Sequence, residues 1–450
     1  MIDRKGLKKQ AEKVRAADYI DPALYAKYGV KRGLRNDNGS GVLVGLTTIG
    51  NVHGYVMDEG ERKAIPGELY YRGINVKDIV QADKREHRFG YEETAYLLLF
   101  GELPTARQLV DWKQHIGEYR KLSDGFKENA IMKNPPKDIM NALARAVLFA
   151  YAFDPEGTPD DLSLEKCLKQ SMDLIGSIPT IAAYAYQAKA HYHDGGSLMI
   201  RNPDPAKSTA ETLLMLMRED GKYTKLEAET LDLSLILHAE HGGGNNSTFT
   251  THVVTSSGTD TYSAISAALG SLKGPRHGGA NVKVVRMFDD MKANIDTTDK
   301  AQIEQYLRDL LDKKAFDNAG LIYGMGHAVY AISDPRAEIL HSFAKSLSIE
   351  KGMEDEFVLY ETVAELATRL IAEKRRMYKG VSPNIDFYSG LVYKMLNLPY
   401  ELYTPLFACA RIAGWSAHRI EEIQNAGKII RPAYINVKNT EKYVPIEERK

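Results

Sequence analysis

Four short stretches of this chain place histidines, a carboxylate and arginines where acid–base or anion-binding chemistry is open to them. In HAEHGGGNNST, His238 and His241 stand at a predicted helix C-terminus followed by Gly242, Gly243 and Gly244, which bare the backbone to a ligand. The pattern equally suits a helix end carrying a hydrogen-bonded histidine. A zinc site built on His238, Glu240 and His241 is the weaker reading, because the order is neither HExxH nor HxxEH and no third ligand lies nearby.

In LKGPRHGGAN, Gly274-Pro275 stops one helix, His277 occupies the turn, and another helix follows. The positive end of that helix, with Arg276 alongside, is expected to keep His277 neutral. A neutral imidazole donates a hydrogen bond to a developing enolate. In YGMGHAVYAISDPR, Gly324 and Gly326 flank Met325 and lead into His327, which reads as a tight loop offering backbone groups. Finally, SPNIDFYSGLVY and FACARIAGW set Asp386 and Arg411 among apolar neighbours fit for burial. An unpaired buried charge costs several kcal/mol, roughly, so each needs a partner. An internal Arg–Asp bridge between two helices is one answer and a bound anion is another. Arg336 and Arg431 are less distinctive, and solvated surface arginines are the default for both.

The elements that must position these residues read as mainly α-helical. Residues 41–75 mix β-branched residues and glycines and suggest a short strand pair or meander turning at Asp58-Glu59-Gly60. From Tyr91 on, helical periodicity dominates. The segment KLEAETLDLSLILHAEH repeats Leu231, Leu235 and His238 on one face and should run to the three glycines. Asp260 to Lys273, rich in Ser and Ala, predicts a closely packed helix, and a further helix is expected from Gly278 with Ala280, Val284 and Phe288 on one face. The charged first forty residues should be helical to about Asp21-Pro22. No βαβ alternation and no GxGxxG after a strand argues for a dinucleotide fold.

Composition narrows the class further. The 450 residues suggest two or three domains, or one large domain with an appendage. A net charge of -1 offers no polybasic surface for nucleic acid or anionic lipid. Two cysteines, Cys167 and Cys409, are too few for a disulfide framework or a zinc ribbon. The charged N-terminus lacks a signal-type apolar stretch, and the longest nearby aliphatic run, 95–100, is far too short for a bilayer. A cytoplasmic setting is expected.

Taken in order, PGELYYRGINVKDI, YLLLFGELPT, HAEHGGGNNSTFT, LKGPRHGGAN, YGMGHAVYAISDPR, PNIDFYSGLVY and IIRP resemble the citrate synthase family across most of the chain. The resemblance implies a mainly α, two-domain homodimer with a small N-terminal β element. A large domain would take 1–277 and 385–450, and a small domain 278–384. It implies condensation of acetyl-CoA with oxaloacetate and water to citrate and CoA, with no metal and no cofactor beyond the acyl-CoA co-substrate. By this resemblance His277 faces the thioester carbonyl, His327 the keto carbonyl, and Asp386 is the base. His241, Arg336, Arg411 and Arg431 would hold the keto acid. Lys379 and the Gly324-Met325-Gly326 turn would meet CoA. Met325, Ala331 and Arg276 depart from common family residues, which bears on the CoA contacts. Within the family, 2-methylcitrate synthase acting on propionyl-CoA is the alternative, differing by one methylene worth about 1–3 kcal/mol. Outside it stand a metal-dependent hydrolase and a non-catalytic binding protein.

Overall fold

The computed structural model describes residues 4–58, 61–375, 380–425 and 427–449, and they form two compact units. One contains residues 1–46 and 430–450. Its α-helices are Arg4–Ala17 and Ala23–Lys27, so the first helix ends four residues before the expected Asp21-Pro22, and Pro22 instead precedes the second. The other unit, residues 47–429, holds the remaining helices and the only sheet among the described residues. The expected boundaries at 277/278 and 384/385 both fall inside it.

That sheet has three antiparallel strands, β1 (Gly50–Asp58), β2 (Glu61–Tyr71) and β3 (Ile74–Asn75). Gly50 pairs with Tyr71, and Tyr70 with Asn75. The β region begins at Gly50 rather than near 41. Residues 42–47 carry no regular structure, and Leu43 and Leu46 are exposed, so no face is buried to hold a strand there. The middle of the predicted turn, Glu59-Gly60, lies outside the described residues. Leu69 and Tyr71 of β2 are fully buried.

Eight helices build the core around the candidate site: α1 (Leu164–Asp194), α2 (Lys225–His238), α3 (Asn246–Thr255), α4 (Thr261–Leu272), α5 (Ala280–Asn294), α6 (Pro335–Lys351), α7 (Ile385–Met395) and α8 (Tyr403–Asn425). Their starts follow local chemistry. Thr224 and Glu227 form a reciprocal capping box on α2, Asp260 caps α4, and Asp334 caps α6 with Pro335 in its first turn. Asn384 caps α7 by accepting the Asp386 N–H at 3.0 Å. The expected helix over 260–273 is therefore α4 with its cap included. The expected helix from Gly278 begins two residues later as α5, with Val284 and Phe288 buried.

Helix α2 stops at His238, before the three glycines. The buried Tyr71 hydroxyl lies 2.9 Å from the Ile236 carbonyl and 3.1 Å from the Glu240 carbonyl, so β2 packs against the end of this helix. Tertiary packing, not glycine, ends this helix. Among the described residues no helix is long and apolar enough to cross a membrane.

Close backbone approach sets α7 against α5. A Cβ built at Gly390 would lie 2.5 Å from Val285 Cγ2 and 3.0 Å from the Asn281 carbonyl. Gly390→Ala should therefore push α7 away and cost about 1–3 kcal/mol, read from the denaturation midpoint. Unchanged stability would mean that the two helices have slack.

Candidate active site

The site is built on a buried arginine. Arg411, on α8, is 1 % exposed, and its Nε donates to the His238 carbonyl at 2.6 Å. One terminal nitrogen is buried with no hydrogen-bond partner, and the guanidinium lies 4.7 Å from the centre of the Phe407 ring. Among the described residues no carboxylate closes an ion pair with it. The Arg–Asp bridge left open by the sequence is absent, and a buried cation has spare donors. Burial without a paired anion pulls Arg411 down to about 10.

Arg336 is the second cation. It is 4 % exposed, not a surface arginine, and it grips Asp334 through Nε at 3.0 Å and Nη2 at 2.7 Å. Asp334 is held well below the usual carboxylate range by this pairing, despite its burial. Asp334 also accepts the Ile385 N–H at 3.2 Å, so one buried carboxylate ties the start of α6 to the start of α7.

Asp386, in the first turn of α7, is the site's weak acid. Burial and the neighbouring Asp334 raise it to about 6, although Arg336 and Arg411 act in the opposite direction. Such a carboxyl is ionised at neutral pH yet only slightly solvated, which is what a general base needs.

The two expected catalytic histidines present opposite ring nitrogens. The backbone N–H of Ser247 lies 3.3 Å from His277 Nε2, and the Ser247 hydroxyl is 2.8 Å from the same atom. A backbone N–H only donates, so Nε2 accepts and the proton of neutral His277 sits on Nδ1. His277 is lowered to about 4 by burial first and Arg411 second. The cation that matters is thus Arg411, not the adjacent Arg276, which is exposed. In His327, Nδ1 accepts the N–H groups of Val329 at 3.1 Å and Tyr330 at 3.2 Å, which leaves the proton on Nε2. Each histidine is set by backbone geometry as a neutral donor.

His241 lies between these groups, its ring 5.1 Å from that of His327 and 5.6 Å from that of Tyr330. Its Nε2 is buried without a partner, and burial together with Arg336 pushes it well below the ordinary histidine value. His238 hydrogen-bonds to the Ser234 carbonyl through Nδ1 at 2.7 Å, and its Nε2 is likewise buried and unpartnered. Among the described residues no three His, Cys, Asp or Glu side chains converge to hold a metal.

The Gly-Met-Gly turn does more than expose backbone. Gly324 and Gly326 have φ of 79° and 86°, and a Cβ at Gly324 would meet the Phe387 Cα at 2.9 Å. Gly326 N–H donates to the Ser382 carbonyl, Asn384 N–H to the Gly324 carbonyl and Asn384 Nδ2 to the Gly326 carbonyl, each at 2.8 Å. The turn carrying His327 is laced to the segment that delivers Asp386.

His277, His241, Asp386, Arg336 and Arg411 therefore share one electrostatic neighbourhood, and His327 joins it through His241. Arg431 is exposed and belongs to the unit of residues 1–46 and 430–450. Lys379 lies outside the described residues. Sequence reasoning missed Ser247 and Asp334 and raised Glu240 only as a zinc ligand; all three are fully or nearly fully buried. The signal for Ser247 was the run Asn245-Asn246-Ser247, since Asn245 caps α3 and so fixes the Ser247 N–H.

A profile described as "Citrate synthase, C-terminal domain" matches residues 38–433. The chain belongs to the citrate synthase family. It is 33 % identical over 390 residues to a citrate synthase of Synechocystis sp., covering 85 % of this chain and 88 % of that one. It is 34 % identical over 388 residues to 2-methylcitrate synthase 2 of Corynebacterium glutamicum, covering 85 % and 92 %. The Thermoplasma acidophilum citrate synthase, solved as a ternary complex with carboxymethyl coenzyme A and oxaloacetate, superposes with a TM-score of 0.76 at 30 % identity, over 93 % of this chain and 99 % of that one. The mainly helical citrate synthase fold is thereby established, and the chain is an enzyme of this type.

The unpaired guanidinium makes a test. Arg411→Leu should weaken oxaloacetate binding by about 100-fold or more, the usual loss when one partner of a buried charged contact is removed, and leave acyl-CoA binding nearly intact. Intact oxaloacetate affinity with a lower melting temperature would make Arg411 a structural residue.

Proposed function

We propose that this chain condenses acetyl-CoA with oxaloacetate and water to give citrate and CoA. The observation that carries this reading is Arg411, a buried cation with spare donors and no ion-paired carboxylate among the described residues, beside neutral histidine donors and a carboxyl raised to about 6. A dianionic keto acid supplies the missing anions. Asp386 takes a proton from the acyl methyl group, and His277 donates from Nδ1 to the thioester oxygen as it becomes enolic. The enol carbon attacks the ketone, whose oxygen receives a hydrogen bond or proton from His327 Nε2. Water then hydrolyses the thioester.

His241, Arg336 and Arg411 hold the keto acid, with planar guanidinium pairing on its carboxylates. Arg431 completes that set in this reading, and its support is the sequence resemblance alone. For CoA, the backbone of Gly324 and Gly326 is already engaged, so the half-buried Met325 side chain and Lys379 are the proposed contacts. Residues 278–384 act as a small domain closing on the rest of the chain, which keeps water away until the carbon–carbon bond has formed. A homodimer in the cytoplasm, serving the tricarboxylic acid cycle without metal or further cofactor, fits the same reading.

Propionyl-CoA as donor, giving 2-methylcitrate, is the second reading. It is favoured by the equal similarity of citrate and 2-methylcitrate synthases to this chain. Thiol release with acetyl-CoA and propionyl-CoA in parallel decides between them.

Two outcomes test the chemistry. With a non-condensing oxaloacetate analogue, wild-type protein should exchange acyl-CoA methyl protons with solvent deuterium, and Asp386→Asn should slow this by about 10² or more. Wild-type exchange in that variant would move the base elsewhere. The pH profile is the second. Asp386 acts as the carboxylate, so kcat/KM for acyl-CoA should be flat above its value of about 6 and fall about tenfold per unit below it. His277, at about 4, adds no limb in that range. A profile that stays flat to pH 4 would exclude Asp386.

A further inference from the structure

Four side chains that the mechanism does not use stand in file between α3, α8 and the end of α2. His252 Nδ1 is 2.7 Å from Glu422 Oε2, His252 Nε2 is 3.1 Å from His418 Nδ1, and His418 Nε2 is 3.0 Å from Glu240 Oε1. The file runs from the partly exposed Glu422 to Glu240 and His418, which are both wholly buried. Glu240 in turn faces Arg411, the cation of the dicarboxylate site.

Proton counting decides the state of this chain. Three contacts need three protons, and two ionised carboxylates bring none. Two neutral imidazoles bring two. With only two, either a pair of lone pairs would face each other at 3.1 Å in the interior, or one carboxylate would lose its donor. The third proton belongs to the imidazoles. Imidazole is a stronger base than a carboxylate by about two pK units. Glu240 Oε1 also accepts the Gly242 N–H, and the nearby Arg411 favours the anion. A second extra proton is opposed, because burial and the adjacent His418 hold His252 below its ordinary value.

The surroundings keep Glu240 in place. A Cβ at Gly50 would lie 2.7 Å from its Oε1, and one at Gly414 would lie 2.6 Å from its Oε2, so glycines admit it and side chains there would not. The other charged groups facing the histidines are few. Glu421 Oε2 is 3.9 Å from His418 Nδ1, and the other Glu421 oxygen accepts from Thr48, which Arg72 also contacts.

We propose that His252 and His418 share a single proton near neutral pH, and that this shared imidazolium fixes Glu240 as the anion that balances and orients Arg411 for the substrate carboxylate. His252 and His418 are positioning residues, and neither touches substrate. The functional half rests on Arg411 binding the keto acid, as proposed above. Loss of the shared proton takes the file from one net negative charge to two beside Arg411. The site then attracts a dianion less, so oxaloacetate affinity falls as pH rises through the titration of the pair, whereas acyl-CoA affinity does not.

The test combines spectroscopy with direct binding on the full chain. Nitrogen NMR of histidine-labelled protein at about pH 7 should show His252 and His418 between the neutral and protonated limits, with assignment from His252→Gln. By calorimetry across the pH range in which the NMR shows the pair losing its proton, wild-type oxaloacetate affinity should fall about three- to tenfold as pH rises, and that of His252→Gln should stay level. Glu422→Gln, altered only at the exposed end, should move the wild-type step to lower pH and serves if His252→Gln does not fold. Two neutral imidazoles at pH 7, or the same pH dependence in wild type and variants, would overturn the shared proton. Absence of oxaloacetate binding at every pH would instead remove the proposed function, while the NMR reading of the pair would stand or fall by itself.

Discussion

A guanidinium sealed in a helical core without a carboxylate is the constraint on which this site depends. Leaving Arg411 only partly satisfied costs folding free energy, and that cost persists because the surrounding structure over-determines its position. Its Nε is fastened to the end of α2, its plane lies over Phe407, and Glu240 stands near without closing an ion pair. Burial lowers His277, His238 and His241, with Arg411 adding to it in all three and Arg336 in the last two, and both arginines oppose the burial that raises Asp386.

The second organising contact is Asp334. It accepts both forks of Arg336 and an N–H of α7, so Arg336 and the helix start that carries Asp386 share one buried carboxylate. The Gly324–Gly326 turn adds a second lacing through Asn384 and Ser382, which couples His327 to the same helix start. Movement at either end of this assembly would therefore disturb His327, Asp386 and Arg336 together. Chemistry that needs an enol and a ketone in register benefits from such shared anchoring.

Helix positions were legible in the sequence wherever apolar periodicity and a capping residue agreed, as over Thr261–Leu272 behind Asp260. Limits failed where a distant side chain intervened. Tyr71, remote in the chain, ends α2 before its glycines, and the absence of a packing face leaves 42–47 without a strand. Asp386 and Arg411 announced themselves as charges among apolar neighbours. Arg336 did not, because its burial follows from an ion pair with a residue two positions away that reads locally as an ordinary helix cap.

By itself the sequence determined residue types and local order: which histidines, which carboxylate, and the ordered motifs that identify the family. It also determined the helix caps, because a cap and the N–H it accepts lie within three residues. Only the tertiary structure decided that Arg411 has no ion-paired carboxylate among the described residues, that His277 is held neutral chiefly by burial and Arg411, and that His252 and His418 stand in contact. It decided the tautomers too, since each histidine's proton is placed by backbone N–H groups arranged in the fold. The physical reason is range. Propensity and capping act over a few residues, whereas burial and charge–charge coupling join α2, α3, α7 and α8 from positions far apart in the chain.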